Sequence, residues 1–202
     1  MSNDTLVPRM FKRPFSQFSN RNLLDLLWLL GSVQARDVLE IGCWIGTSTA
    51  ALCLGAEKMN GRVTVIDTFD GGGSCLGDWT NRMDVKKDFI QNMTDIGVRD
   101  MIEILHGTSD AMREFVPHRS QDLIFIDGDH RYSQVKRDIE NYLPKLRFGG
   151  VICGHDYDSR EYDEAFIETD FKNGVHHGVT KAVNEAFSGN HKVTGNIWYI
   201  YV

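Results

Sequence analysis

Five short apolar runs, separated by helix-forming stretches, constrain this fold more than any other feature. Residues 38–41, 63–66, 102–105, 123–126 and 151–153 each read as a strand that gives way to glycine, aspartate or small polar residues. Between them, 47–58 and 85–96 have helical composition. Val135, Ile139, Tyr142, Leu143 and Leu146 recur at spacings of three and four, the period of a buried helix face, and Gly149-Gly150 ends that helix. An earlier pattern of Leu23, Leu26, Leu27 and Leu30 starts after Asn22 and stops near Gly31. Such alternation implies parallel strands joined by right-handed crossovers. Near-continuous apolar strands suit a sheet covered on both faces. After a helix at 179–187, residues 192–194 and 197–201 flank Gly195-Asn196 and read as an antiparallel hairpin. The expected fold is α/β: a doubly wound, mostly parallel sheet in three α/β/α layers, with a C-terminal antiparallel hairpin.

The length of 202 residues suits one domain that buries roughly 70% of its unfolded surface. That domain is expected at 21–202, after an N-terminal arm at 1–20 in which Phe11, Phe15 and Phe18 sit among basic and polar residues. Gly71-Gly72-Gly73-Ser74 reads as a flexible loop. The most apolar stretch, 23–30, contains Asp25 and is far too short to span ~30 Å of hydrocarbon, so no membrane partner is expected. Cys43, Cys53, Cys75 and Cys153 match no zinc spacing and read as free thiols of a reducing compartment. With no signal-peptide core near Met1, a cytoplasmic location is expected. A net charge of −6 disfavours nucleic-acid partners. Homo-oligomerisation stays open.

In an open α/β sheet, ligands bind beyond the carboxyl ends of the strands. The first such loop, Glu40-Ile41-Gly42-Cys43-Trp44-Ile45-Gly46-Thr47-Ser48, fails the dinucleotide pattern G-x-G-x-x-G, whose later glycines would fall on Trp44 and Thr47. An acidic residue beside a glycine loop suits a cationic ligand such as S-adenosylmethionine better than a pyrophosphate; the plainer alternative is a bare strand–helix turn. Asp67, with Thr68 beside it, could accept hydrogen bonds from a ribose diol. Ser109 and Asp110 could meet an adenine edge, or simply cap the following helix. Two ionisable clusters follow, Asp127-Gly128-Asp129-His130-Arg131 and His155-Asp156. Adjacent strands lie roughly 4.8 Å apart, so Asp127, His155 and Asp156 could share a divalent ion. Oxygen donors favour magnesium, manganese or calcium, and the histidine admits a transition metal. The alternative is helix capping and pairing with Arg131 or Arg160. His176-His177 ranks well below this cluster as a metal pair, and its aromatic surroundings at 157–177, like 1–20 and 70–84 with Trp79, could cover an acceptor ring or be local packing.

The stretches DVLEIGCWIGTSTAAL, VTVIDTFDG and DLIFIDGDHRYSQVKRDIENYLPKLRFGGVICGHDYD, in that order, resemble class I S-adenosylmethionine-dependent O-methyltransferases from Val38 to the C-terminus. The resemblance is strongest to the small bacterial group of sugar O-methyltransferases and cephalosporin hydroxylase-like proteins. It implies a Rossmann-like sheet and a methyl donor held by Glu40, Gly42, Trp44, Gly46, Thr47 and Ser48 around its methionine portion. Asp67 and Thr68 would meet the ribose, Ser109 and Asp110 the adenine side, and Asp127 both cofactor and metal. His155 and Asp156 stand where relatives carry Asp-Asn or Asp-Asp, so His155 is a departure. His130 occupies the place of a catalytic lysine in catechol-type enzymes, and Asp129 that of a proposed base in sugar-type ones. The implied partner is a small hydroxylated acceptor, attacked at oxygen with Asp129 or His130 taking the proton. Three rivals are a nicotinamide oxidoreductase, a nucleic-acid methyltransferase (no N-P-P-Y motif is present) and a non-catalytic nucleoside-binding module.

Overall fold

The computed structural model describes residues 19–70 and 84–202. Residues 1–18 of the arm expected at 1–20, the glycine loop at 71–74, Cys75 and Trp79 lie outside the described residues; Ser19 and Asn20 cap and begin the first helix instead. Strands β1 (Asp37–Ile41), β2 (Arg62–Asp67), β3 (Ile102–His106), β4 (Gln121–Ile126), β5 (Leu146–Gly154), β6 (Lys192–Thr194) and β7 (Ile197–Tyr201) form one sheet in the order β3-β2-β1-β4-β5-β7-β6. The first five pair in parallel; β7 pairs antiparallel with both β5 and β6. Both the parallel sheet and the C-terminal hairpin are as expected. The last strand lies inside the sheet and β6 forms the edge, since β7 carries the apolar residues Ile197, Trp198 and Tyr199 that a central position buries.

Helices α1 (Asn20–Ser32), α2 (Thr47–Glu57) and α3 (Val85–Ile96) cover one face, and α5 (Tyr132–Tyr142) and α6 (His177–Phe187) the other; α4 (Ser109–Met112) is a single turn. Side chains alternate along each strand. Thus Val38, Leu123, Phe125 and Val151 join the core with Leu26 and Phe89, while Leu39, Ile124, Ile126 and Ile152 join the core with Ile139 and Val183. Two boundaries differ from the sequence reading. Helix α1 starts one turn earlier, because Ser19 caps it and Asn22 reciprocates from inside the first turn. Helix α5 ends at Tyr142, and Gly149-Gly150 lie within β5, whose pairing with β4 shifts register between Gln121 and Leu123. The glycines therefore interrupt a strand, not a helix. No helix among the described residues is long and apolar enough to cross a membrane.

Candidate active site

The carboxyl ends of β1 to β5 open onto one cavity of about 1100 Å³. Roughly 300–1,000 Å³ is typical of a pocket for one drug-sized ligand, so the cavity lies just above the upper end of that range. Gly42, Trp44, Thr47, Ser48, Asp67, Thr68, Ser109, Asp110, Asp127, Asp129, His130, His155 and Asp156 all stand on its wall. Glu40 and Gly46 do not. Gly42 has φ +82°, and a Cβ there would strike the backbone of Asp127 and Gly128. Only glycine lets the exits of β1 and β4 approach this closely.

Glu40 is fully buried behind the loop, where Ser48 Oγ and Thr49 Oγ1 donate to its two oxygens at 2.5 Å each. Burial pushes its carboxyl up to about 8, against the pull of those two hydroxyls. It ties β1 to the first turn of α2 and so shapes the loop from behind. Asp67 also works on the loop: its Oδ2 accepts the backbone N–H groups of Cys43 and Trp44 at 2.7 and 3.0 Å, and its Oδ1 accepts that of Phe69 at 2.6 Å. A carboxylate offers about four acceptor positions, so one remains for a ligand hydroxyl. Trp44 has φ +43°, and its indole Nε1–H, buried at the wall, has no hydrogen-bond partner among the described residues.

Across the cavity, Thr108 caps α4 and Ser109 Oγ donates to Asp138 Oδ1 at 2.6 Å. Gln134 Nε2 donates to the same oxygen at 2.9 Å. Asp110 is held by Arg137 at 3.3 Å and Asn141 at 3.1 Å. Burial raises Asp138 to about 6 despite its two donors. The sequence reading passed over Asp138, yet its spacing from Val135 and Tyr142 puts a carboxylate on the buried face of α5, which is a readable signal.

The acidic end is built by β4 and β5. Ile126 pairs with Gly154, so Asp127 and His155 leave the sheet side by side, and Asp156 turns into the cavity at φ +60°. His155 Nδ1 lies 3.1 Å from Asp156 Oδ1 and 3.7 Å from Asp127 Oδ1. His130 Nε2 lies 3.1 Å from Asp156 Oδ2 and 3.5 Å from Asp127 Oδ1, and its Nδ1 lies 2.7 Å from Asp170 Oδ1. His176 Nε2 completes the group 3.6 Å from Asp156 Oδ2, its ring centroid 4.1 Å from that of His130. Burial opposes charge on His130, but the carboxylates of Asp127, Asp156 and Asp170 push its pKa well above the usual imidazole range. Burial likewise opposes charge on Asp156, yet His130 and His155 hold it far below the usual carboxylate range. Burial, then the neighbouring His130, lowers His176. Asp129 is outside this group: Arg131 grips both its oxygens and, against partial burial, keeps it ionised. Arg160 pairs with Asp158 instead.

Asp127, His155 and Asp156, expected at one site, do lie side by side, but sequence reasoning missed Asp170 and discounted His176. Both arrive on the loop between β5 and α6, more than 10 residues beyond the strand end, so no strand-end rule points to them. Gly178 makes their approach feasible. A Cβ there would collide with the backbone of His130, Tyr132 and Ile167.

Comparison with known proteins adds three findings. A family model described as a methyltransferase domain matches residues 39–157. An uncharacterized protein of Sinorhizobium fredii is 26% identical over 141 residues, 67% of this chain; the chain spans 15% of that relative's length. Solved structures share the fold. One is a putative O-methyltransferase from Klebsiella pneumoniae (TM-score 0.70, 16% identity, covering 100% of this chain and 91% of that one). Another is an O-methyltransferase from Bacillus cereus in complex with SAH (0.66, 19%, 100% and 92%). A third, from Streptomyces achromogenes, is an O-methyltransferase involved in tomaymycin synthesis in complex with SAM (0.67, 16%, 100% and 91%).

Proposed function

Because the chain belongs to the methyltransferase domain family, we propose that it transfers the methyl group of S-adenosylmethionine to a hydroxyl of a small sugar-like or phenolic molecule, with help from a divalent cation. The observation that carries this reading is the continuity of one cavity from the β1–β3 loops to the carboxylate–imidazole group beyond β4 and β5. Two groups at the loop end suit the donor. The unpartnered indole N–H of Trp44 can meet its carboxylate, and the remaining acceptor position of Asp67 a ribose hydroxyl. The complexes of the Bacillus cereus and Streptomyces achromogenes proteins with SAH and SAM agree with this use of the fold. At the other end, the orphaned Nε2 of His130 faces two carboxylates, a donor set that suits a cation.

Asp129 is the proton acceptor in this scheme. Arg131 holds it in the ionised form, which leaves it able to accept a proton as the acceptor oxygen attacks the methyl carbon but makes it a weaker base than a free carboxylate. His130 is the lesser candidate, since both its nitrogens are turned to carboxylates. A cation bound beside Asp127 and Asp156 would stabilise the oxyanion that develops on the acceptor. The cavity wall orients the two reactants in line, which supplies proximity. Calorimetry with S-adenosylmethionine, S-adenosylhomocysteine and NAD, followed by turnover on hydroxylated sugars and phenols before and after chelation, tests the scheme. Binding of the first two ligands with turnover supports it. Binding of NAD alone would replace it with oxidoreductase chemistry, binding without turnover would leave a nucleoside-binding module, and turnover undiminished by exhaustive chelation would remove the cation.

A further inference from the structure

In their neutral forms, the three histidines around Asp156 differ in which nitrogen carries the proton, and fixed neighbours decide it. His130 Nδ1 faces Asp170 Oδ1 at 2.7 Å, and His176 Nδ1 faces the Asp170 backbone carbonyl at 2.6 Å. A carbonyl and an ionised carboxylate only accept, so both Nδ1 atoms donate. The lone pair of each neutral ring is then on Nε2, and both Nε2 atoms point at Asp156 Oδ2, at 3.1 and 3.6 Å. His155 is set the other way. The Ser19 backbone N–H donates to Asn22 Oδ1, so Asn22 Nδ2 donates to Asn196 Oδ1, and Asn196 Nδ2 is left to donate to His155 Nε2 at 3.0 Å. His155 Nδ1 therefore bears the proton and points it at Asp156 Oδ1, 3.1 Å away. It supports the carboxylate and has no lone pair for a metal on that side.

We propose that His130 Nε2, His176 Nε2 and Asp156 Oδ2 hold one late first-row transition ion, with Asp170 and His155 as the groups that orient its ligands. The inference rests on the reading that a cation sits at this end of the cavity, and it changes both the ligands and the metal. Ligands about 2.0–2.2 Å from an ion and 90–110° apart stand roughly 2.8–3.6 Å from each other, and Asp156 Oδ2 lies 3.1 and 3.6 Å from the two Nε2 atoms. Two imidazoles and one carboxylate on one side of an ion favour iron, cobalt, nickel or zinc over magnesium or calcium, which prefer oxygen. A histidine donating its other nitrogen to a carboxylate or carbonyl is the common support of such ligands. His130 Nε2 is buried and makes no aligned hydrogen bond among the described residues, with only the carboxylates of Asp156 and Asp127 in reach at 3.1 and 3.5 Å, which marks a place where an ion belongs.

The test uses the full chain, stripped of metal, titrated with Co²⁺, Zn²⁺ and Mg²⁺ by calorimetry, with the visible spectrum of Co²⁺ as an independent readout. The expected result is one bound ion, Co²⁺ and Zn²⁺ at least roughly tenfold tighter than Mg²⁺. His176→Ala and His176→Gln should each weaken Co²⁺ on the order of 10–100-fold and alter its spectrum. His191→Ala, outside the cavity, should change neither. Equal or tighter Mg²⁺ binding, no Co²⁺ binding, or Co²⁺ affinity unaffected in two folded His176 variants would overturn the proposal. Because these titrations contain no S-adenosylmethionine, each of those results leaves methyl transfer standing; failure of the nucleoside calorimetry is what would remove that reading.

Discussion

His130 Nδ1 stands 2.7 Å from Asp170 Oδ1, and this bond across 40 residues turns the opposite nitrogen toward Asp156 at 3.1 Å. Replacing Asp170 with asparagine keeps the shape but offers the ring a donor as well as an acceptor, so the tautomer is no longer set. Asp170→Asn should weaken transition-metal binding about 10–100-fold by calorimetry and leave S-adenosylmethionine binding unchanged. Unchanged metal affinity would mean the contact is packing only.

The raised pKa of Glu40 makes stability depend on pH. Its folded value, about 8, lies above the ordinary 4.5, so the buried acid stabilises the fold below the ordinary value and that contribution is lost as pH rises toward 8. Chemical denaturation should show wild type losing stability relative to Glu40→Gln by up to about 1.4 kcal/mol per pH unit between those values. A difference that stays flat would show that Ser48 and Thr49 keep Glu40 ionised in the fold.

Gly178 lets the start of α6 rest against the backbone of His130 and Ile167. Gly178→Ala should force these segments apart and cost about 1–3 kcal/mol by thermal denaturation, as overpacking does. Because His176 precedes the helix by one residue, metal affinity should fall with it. A stable variant with intact metal binding would show that the segment shifts freely.

Trp44→Phe keeps a ring and deletes the unpartnered N–H. If that donor meets the carboxylate of the methyl donor, the loss is about 1 kcal/mol, or roughly fivefold in Kd. Equal affinities would assign Trp44 to packing alone.

Asp129→Asn should lower kcat about 10²–10⁴-fold while leaving S-adenosylmethionine binding in place. A smaller loss would pass the proton to His130 or to solvent.

Much of the fold is legible in local sequence. Residues 38–41, 63–66 and 123–126 are apolar runs with no competing period, and helix 85–96 is marked at both ends by the Asp84 cap and Gly97 at φ +83°. Reading failed where a boundary depended on a partner strand, as at Gly149-Gly150. In the site, residues directly after strands were found because strand ends converge by construction. Glu40 shows the limit of that rule: alternation along β1 turns it away from the cavity, on the face it shares with Val38, which its place in a motif conceals.

The order of strands and helices, the parallel sheet that this order implies and the glycine loop after β1 were all determined by the sequence alone, since each depends on periodicity or on neighbours a few residues away. The tertiary structure decided the rest. It brought Asp170 and His176 to His130, placed Asn196 beside His155 and buried Glu40 behind its loop. Those contacts join segments 6 to 41 residues apart, and which nitrogen of each histidine keeps its lone pair follows only from them. Chain-distant hydrogen bonds leave no period in a sequence, so the chemistry of the cluster emerges only when the loop after β5 folds back over the sheet.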